Sequence, residues 1–193
     1  MIEQGLGVEP ATAESISSAL RDQRPSWITL PAPDAEIPAE LYTALEAFDA
    51  GKHPAALAAS SWLETQALFS YQTSRTRLLV CSDRIAGFYS LASAQVALSQ
   101  RDRGRLGIQP VRVPAALVTW LARDAHTKIE GKTLLLHAVA TARRAAVMQA
   151  TTLLVVDAFD DATAMMWRQR FGFRTSAEQG PNKRLWLPLH AEG

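Results

Sequence analysis

A strand, a loop and a helix meet in the stretch LARDAHTKIEGKTLLL, residues 121–136. The apolar run 116–122 predicts a buried strand before the loop, and apolar residues at helical spacing predict a helix over 131–148. Main-chain N–H groups at the start of a helix have no partner one turn earlier, so they can bind an anion. Gly131 permits a close approach of the backbone, and two lysines beside it add positive charge. The stretch therefore predicts a phosphate or pyrophosphate site, although one glycine and two lysines precede many helices.

The elements around this loop alternate between strands and helices. A helix is predicted over 54–69, where Pro54 suits the first turn, and strands 77–82 and 85–96 are predicted to form a hairpin. Residues 100–112 are predicted to be a polar connection. Such alternation favours a mixed α/β layer. The remaining predicted elements are a helix at 11–23, a strand at 152–157, a helix from the Asp160 cap to Arg170 and a last strand at 184–188.

The composition is that of a soluble globular protein. The chain has 193 residues, of which 48% are hydrophobic and 20% charged, which fits one domain or one domain with an extension. No apolar run approaches the roughly 18 residues of a membrane span, and the start lacks a secretion signal. Cys81 is the single cysteine, which excludes an internal disulfide and a multi-cysteine zinc site. A reducing cytoplasm is the expected location.

The charges divide unevenly along the chain. Residues 1–50 hold nine acidic and two basic residues, whereas 51–193 hold 18 basic and 10 acidic residues. The excess of basic residues in 51–193 favours anionic ligands such as nucleotide phosphates or RNA. The alternative is that the acidic and basic parts are two solvated surfaces that attract each other. Residues 1–47 contain several prolines and few large apolar residues. They are interpreted as an acidic N-terminal extension rather than a separate domain.

A series of short motifs, in this order and spacing, resembles the GNAT N-acetyltransferase superfamily and, more narrowly, the GNAT toxins of bacterial toxin–antitoxin pairs. The similarity covers about residues 48–189, so 48–193 is interpreted as a GNAT-like acetyltransferase domain. Each motif alone is loose. Besides the 121–136 stretch, the motifs are Phe48-Asp49-Ala50-Gly51, Trp62-Leu63, Arg75-Thr76-Arg77, Gly87-Phe88-Tyr89-Ser90-Leu91, Val111-Arg112-Val113-Pro114, Val155-Val156-Asp157-Ala158 and Arg170-Phe171-Gly172-Phe173.

The resemblance implies an α/β (α+β) fold with a mixed, mainly antiparallel sheet. Its two central strands, around 116–122 and 152–158, would splay apart and be flanked by helices. It also implies that acetyl-CoA is the cofactor. Main-chain groups near Leu121, Ala122 and Arg123 would hold the pantetheine arm and the acetyl group. The pyrophosphate would be held by the loop residues Lys128, Ile129, Glu130, Gly131, Lys132 and Thr133.

The same resemblance implies a reaction and partners. A primary amine would attack the thioester directly, and a general acid would protonate the leaving thiolate. The acceptor would be the amino acid of a charged tRNA, with a protein amine as the next choice. An antitoxin protein and a homodimer are expected partners, and a membrane is not.

Two departures from the family pattern leave an alternative open. The family loop reads Gln/Arg-x-x-Gly-x-Gly/Ala, whereas Thr133 adds bulk here and Glu130 places a negative charge beside the anion site. The family's tyrosine acid falls on Arg168 or Trp167, and neither side chain can donate the proton. Tyr89, Tyr71, Cys81 or water could substitute. The chain is then either an active N-acetyltransferase with a relocated acid or a catalytically degenerate GNAT-fold binding protein.

Three further predictions concern single side chains and surface charge. His126 lies beside the predicted cofactor loop, either as an exposed residue or in a substrate or proton-transfer role. Trp120 is either a core residue or part of the acyl cleft. The arginines at 101–105 and 143–144 are either solvated or in contact with RNA. The four histidines lack metal-ligand spacing, so no metal is expected.

Overall fold

The computed structural model of the chain describes residues 11–32, 34–178 and 183–190. Helices and strands alternate along most of it, as the sequence predicts. The strands are β1 (Ser26–Thr29), β2 (Ser74–Cys81), β3 (Arg84–Ala97), β4 (Arg112–Arg123), β5 (Leu153–Ala158), β6 (Arg174–Thr175) and β7 (Lys183–Pro188). The helices are α1 (Ala13–Arg21), α2 (Ala39–Glu46), α3 (Pro54–Thr65), α4 (Gln100–Leu106), α5 (Gly131–Gln149) and α6 (Asp161–Phe171), with a 3₁₀ turn at Phe69–Gln72.

The strands form one mixed sheet in the order β1-β2-β3-β4-β5-β7-β6. The β1–β2, β5–β7 and β6–β7 pairs are antiparallel, and β4–β5 is parallel. The parallel pairing runs from Ala115–Leu153 to Val118–Val156, and β4 continues beyond it to Arg123. The mainly antiparallel sheet that the sequence predicted is confirmed, with pairing that stops short of the end of β4.

Local sequence signals set the ends of several elements. Ser82 and Asp83 have positive φ angles of 51° and 61°, which turns the chain between β2 and β3. Asp160 caps α6, because its Oδ1 accepts a hydrogen bond from the Thr163 amide at 2.6 Å. Gly172 ends the same helix with a φ of 73°. The predicted hairpin and the predicted capped helix are both confirmed.

The polar connection predicted over 100–112 is wrong in part, because it begins with α4. Ser99 caps this helix by accepting from the Asp102 amide, and Gly107 closes it in the left-handed conformation. The helix has no buried residue. It was missed because it lacks the apolar stripe by which helices are recognised.

The chain divides into two compact units by internal contacts. The first comprises the described residues of 1–90 together with 120–136. Residues of α1 and α2 share its main core with those of α3, β2 and β3, as shown by buried Ile16, Leu41, Leu63 and Phe88. A second, smaller cluster joins Leu79 and Ala86 to Leu134 of α5. The division at residue 47 stays a prediction; residues 11–47 pack into the same core as the segment that follows them. Residues 1–10 of the predicted extension lie outside the described residues.

The second unit comprises 91–119 and the described residues of 137–193. Val96, Val113, Leu153, Val155 and Trp186 lie in its core. The Arg184 guanidinium donates two hydrogen bonds to Asp157, both at 2.8 Å, and one to Glu178 at 3.1 Å. The bonds to Asp157 raise the pKa of Arg184 further above its usual value. This network ties β7 to β5, so we interpret it as structural.

No helix in the described part of the chain is both long enough and apolar enough to cross a bilayer.

Candidate functional site

The end of β4 presents different side chains to its two sides. Leu121 packs against the cluster of Leu79, Ala86 and Leu134, the last of which lies in the first turn of α5. Its neighbours Trp120 and Ala122 pack instead against the main core of the first unit. Side chains that alternate along a strand leave its main-chain groups at the strand edge. Residues 120–123 of β4 thus have α5 on one face and the main core of the first unit on the other.

The start of α5 leaves main-chain donors available. The Thr133 amide donates to the Glu130 carbonyl at 2.9 Å. The amides of residues 129–132 make no hydrogen bond within the part of the chain that the structure describes. A Cβ added at Gly131 would meet no atom within 4 Å, so open space adjoins these amides. Unpaired amides at a helix start are the donors that an anion needs.

The charges around these amides are mixed. Lys128, Lys132 and Arg123 are exposed, and so are Glu130 and Thr133. Residues 123–133 hold three basic and two acidic residues, a net charge of +1, although Glu130 opposes an anion at close range. An exposed carboxylate can turn toward water. Unpaired amides with basic neighbours suit an anion and Glu130 disfavours one, so the diphosphate site stays a prediction.

Asp124 holds the loop between β4 and α5 in place through a buried carboxylate. Its side chain is fully buried, and one carboxylate oxygen accepts from the His126 amide at 2.8 Å. The other accepts from the Asp49 amide at 3.2 Å and faces the Arg84 guanidinium at 3.4 Å. The Ala125 amide also donates to the Asp49 carbonyl at 2.7 Å. Asp124 thereby joins the loop between β4 and α5 to the 48–51 motif and to the start of β3.

Asp49 and His126 form an exposed pair above Asp124. The His126 Nε2 atom lies 3.2 Å from Asp49 Oδ2, with 62% and 53% of the two side chains exposed. The Gly51 amide donates to Asp49 Oδ1 at 2.8 Å. The Gly51 bond is the largest single cause that lowers the pKa of Asp49 below its usual value, and the hydrogen bond with His126 is the next. His126 is therefore exposed, and the Asp49 carboxylate holds it in the loop between β4 and α5.

The Asp49 contacts predict a titration that can be measured. In an NMR titration of the carboxyl carbon, Asp49 should have a midpoint below 3.8, its usual value. A lowered pKa means that the contacts with ionised Asp49 are complete above that pH and are lost as the pH falls through the midpoint. His126→Ala should raise the midpoint, yet leave it below 3.8, because the Gly51 bond remains. A midpoint at or above 3.8 in the unchanged protein contradicts these contacts.

Gly87 allows β3 to approach α5 closely. A Cβ at this position would lie 2.8 and 3.0 Å from the two Leu134 methyl carbons and 3.1 Å from the Ala122 carbonyl oxygen. Leu134 is fully buried, so it has little room to move. Gly87 therefore fixes the start of α5 against the end of β4, where the predicted cofactor residues lie.

The structure places the weak catalytic candidates in separate surroundings. Tyr89 is fully buried in the first unit, with its ring 5.6 Å from that of Trp27. In the second unit, Trp167 packs on Phe171 and Phe173, and Arg168 is exposed on α6. The general acid stays unassigned.

The two other residues considered as acids are held by nearby groups. Tyr71 lies under the Arg75 guanidinium at 3.6 Å, and the Cys81 thiol faces the Gln23 carbonyl at 3.0 Å. Among the described residues, no group of three histidine, cysteine or carboxylate side chains could hold a metal ion.

Sequence reasoning missed the role of Asp124 and the stacking of Trp120 on Trp62. The residues next to Asp124 in the sequence do not reveal its role. One of its hydrogen-bond partners, the Asp49 amide, lies 75 residues earlier in the chain. Trp120 had two open interpretations, core or acyl cleft. Its ring lies 5.2 Å from that of Trp62 with an angle of 23° between them, and it is half-buried. This placement agrees with the core interpretation, and the role in the acyl cleft stays a prediction.

Solved structures of AtaT and KacT have the same fold. A structure of AtaT complexed with acetyl-methionyl-tRNAfMet matches with a TM-score of 0.68 and 20% identity, over 86% of this chain and 95% of that chain. A KacT variant matches with a TM-score of 0.67 and 19% identity, over 86% and 96%. AtaTR bound with AcCoA matches with a TM-score of 0.61 and 20% identity, over 86% and 93%.

The solved structures that match this chain share its fold, and one more of them contains a bound cofactor and partner. In another matching structure, AtaT is bound to acetyl-CoA and to the C-terminus of the antitoxin AtaR. No family model and no curated protein matches the chain. The likeness to the solved structures confirms the fold that the sequence motifs implied.

Proposed function

We propose that this chain is an acetyl-CoA-dependent N-acetyltransferase that acetylates the amino acid of a charged tRNA. The observation that carries the proposal is the fold shared with AtaT, whose structures contain acetyl-methionyl-tRNAfMet or acetyl-CoA. The match covers 86% of the chain. A degenerate binding protein is the alternative, and it rests on the missing tyrosine.

The residues at the β4 edge fit acetyl-CoA. Main-chain groups of Leu121, Ala122 and Arg123 hold the pantetheine arm and the acetyl group, as in a short added strand. The amides of residues 129–132 bind the diphosphate, and Lys128 and Lys132 supply positive charge. The Thr133 amide already serves the first turn of α5, so it adds little. Acetyl-CoA supplies an activated acyl group and a thiolate leaving group.

The reaction is a direct transfer from sulfur to nitrogen. A neutral amine attacks the thioester carbon, the C–S bond breaks, and the new amide nitrogen gives its proton to water. Trp167 and Arg168 do not protonate the thiolate, because an indole is not an acid near neutral pH and a guanidinium stays protonated. We propose that water supplies this proton. Transfer is then slower than with a positioned acid, by a factor of about 10²–10⁴.

Calorimetry with acetyl-CoA tests the proposal first. The protein should bind acetyl-CoA, and Glu130→Gln should tighten binding about two- to fivefold, since one exposed charge near a helix start is worth about 0.3–1 kcal/mol. Lys132→Gln should weaken binding by a similar factor. Arg21→Gln, a change of one charge on α1, is the matched control. Absence of binding at millimolar acetyl-CoA supports the degenerate binding protein.

Transfer itself is measured by thiol release and by acetylation of a charged tRNA. Acetyl-CoA binding without transfer to any aminoacyl-tRNA points to the second acceptor, a protein amine. We also propose a cytoplasmic setting, an antitoxin partner and a homodimer. The antitoxin is supported by the AtaT–AtaR structure and the cytoplasm by the single cysteine. Light scattering measures the oligomeric state.

A further inference from the structure

The His126 ring lies close to the amides of residues 129–132, to which the proposed function assigns the diphosphate. A fully extended chain spans at most about 3.6 Å per residue, so the α-carbons of His126 and Ile129 are within about 11 Å of each other. The His126 amide donates to the buried Asp124 carboxylate at 2.8 Å, and the Thr127 hydroxyl donates to a β3 carbonyl at 3.2 Å. These bonds hold the turn, so the imidazole stays within electrostatic reach of the diphosphate site.

The Asp49 carboxylate gives its pair with His126 a constant negative charge. It accepts a hydrogen bond from the Gly51 amide at 2.8 Å and lies 3.2 Å from His126 Nε2. Both contacts lower the pKa of Asp49 below 3.8, so this carboxylate is ionised throughout the neutral range. An imidazole, in contrast, is the side chain that changes charge between about pH 5 and 8. The pair therefore carries one negative charge while His126 is neutral and none once the ring is protonated.

The charged groups around His126 come from β3, the end of β4, the loop after it, the start of α5 and the 48–53 segment. One of them is a second imidazole, that of His53, whose Nδ1 accepts a hydrogen bond from the Ala55 amide at 3.3 Å and caps α3. The full set is Asp49, Lys52, His53, Arg84, Arg123, Asp124, Lys128, Glu130 and Lys132. Any effect of pH on ligand binding must therefore be assigned between the two imidazoles by experiment.

We infer that His126 is a further binding residue of the acetyl-CoA site and that its ring takes up a proton from the buffer when the diphosphate binds. The inference rests on the proposed function. A diphosphate attracts the imidazolium, whereas a neutral ring leaves the negative charge of Asp49 uncompensated. Because linkage is reciprocal, the ligand favours the protonated ring by the same factor by which the protonated ring favours the ligand. For charges about 10 Å apart at low salt, this factor is about two- to tenfold.

The sign of the pH dependence follows from this linkage. Affinity for the diphosphate is greatest where the ring is protonated, and it falls as the pH rises and the ring loses its proton. We therefore expect tighter binding at about pH 5.5 than at about pH 8. A salt concentration of about 1 M, where the screening length is about 3 Å, should remove most of the difference.

Calorimetry in two buffers of different ionisation enthalpy measures the proton uptake directly. The probe is acetyl-CoA lacking its 3′-phosphate, because a phosphate monoester itself titrates near about pH 6, whereas a diphosphate diester keeps its charge. At low salt the unchanged protein should bind this probe about two- to tenfold more tightly at the lower pH. The same coupling corresponds to a maximum uptake of about 0.2–0.5 proton per bound probe.

Two variants test the pair itself. His126→Gln removes the titrating ring and keeps the main-chain bond to Asp124, so the pH dependence and the proton uptake should both disappear. Asp49→Asn removes the negative charge and keeps an acceptor for the Gly51 amide. It should tighten binding at the higher pH, where a neutral His126 no longer compensates the carboxylate. A purely structural role for the pair would not move the proton uptake.

Two control variants each remove a different imidazole. His190→Gln changes an exposed imidazole of the second unit, and it should leave the proton uptake unchanged. His53→Asn keeps a side-chain acceptor for the Ala55 amide, so α3 stays capped, and it should also leave the uptake unchanged.

The outcomes distinguish this inference from the proposed function. Equal affinity at both pH values, tighter binding at the higher pH, or an uptake that His126→Gln leaves intact overturns the role of His126, while binding of the probe still supports the enzyme. An uptake lost in His53→Asn but kept in His126→Gln assigns the proton to His53 and also overturns it. Absence of binding at millimolar acetyl-CoA overturns both proposals.

Discussion

Replacing Asp124 with alanine is expected to lower the free energy of unfolding by about 3 kcal/mol and to weaken acetyl-CoA binding at least about tenfold. The carboxylate is fully buried and accepts from the amides of His126 and Asp49. Without it these donors lose their partner, and only the bond from the Ala125 amide to the Asp49 carbonyl still links the loop between β4 and α5 to the 48–51 motif. Urea unfolding and calorimetry with acetyl-CoA measure the two effects.

The partners of Asp124 provide controls for this prediction. Arg84→Gln should lower the free energy of unfolding by less than about 1 kcal/mol, because the Arg84 side chain is 47% exposed and can be hydrated. Asp124→Asn keeps one acceptor oxygen and should lie between the two. If Asp124→Ala and Arg84→Gln have equal effects, the ion pair, rather than the two amide bonds, is the important contact. Unchanged acetyl-CoA affinity in Asp124→Ala contradicts the role of the anchor.

Elements with strong local patterns were predictable from sequence. The apolar stripe over 131–148 predicted α5, which spans Gly131–Gln149, and Asp160 predicted the start of α6. In contrast, β1 and α2 lie in the proline-containing segment 1–47, where the only predicted element was the helix at 11–23. They form because Ile28 and Leu41 are buried in a core shared with residues far along the chain. Tertiary packing, rather than local propensity, decides these elements.

The sequence predicted the part of the candidate site that one continuous segment forms, but not the contacts between distant segments. The 121–133 segment was recognised by its strand, loop and helix, and its amides are available as expected for residues 129–132. The same pattern could not show that the Thr133 amide is engaged, that Asp124 supports the loop or that Trp120 stacks on Trp62. Each of these depends on where side chains and turns meet in space. The spacing of residues along the sequence does not show which distant residues come into contact.

The other large effect is expected for Gly87→Ala, which should lower the free energy of unfolding by about 1–3 kcal/mol. Alanine usually stabilises relative to glycine by about 0.4–1 kcal/mol, because it restricts the unfolded chain. Here the added Cβ would lie 2.8 Å from a buried Leu134 methyl carbon and 3.1 Å from the Ala122 carbonyl oxygen, so the clash should exceed that gain. Gly104→Ala on exposed α4 meets nothing within 4 Å, and it should be neutral or stabilising.

A double-mutant cycle identifies the atoms responsible for the Gly87 effect. Leu134→Ala alone should lower the free energy of unfolding by about 2–5 kcal/mol, because it leaves a cavity. In the double variant the new Cβ enters part of that space, so the combined loss should fall short of the sum by about 1 kcal/mol or more. Additive losses would place the clash at the Ala122 carbonyl instead. Since either contact moves the start of α5 relative to β4, Gly87→Ala should also weaken acetyl-CoA binding, whereas Gly104→Ala should not.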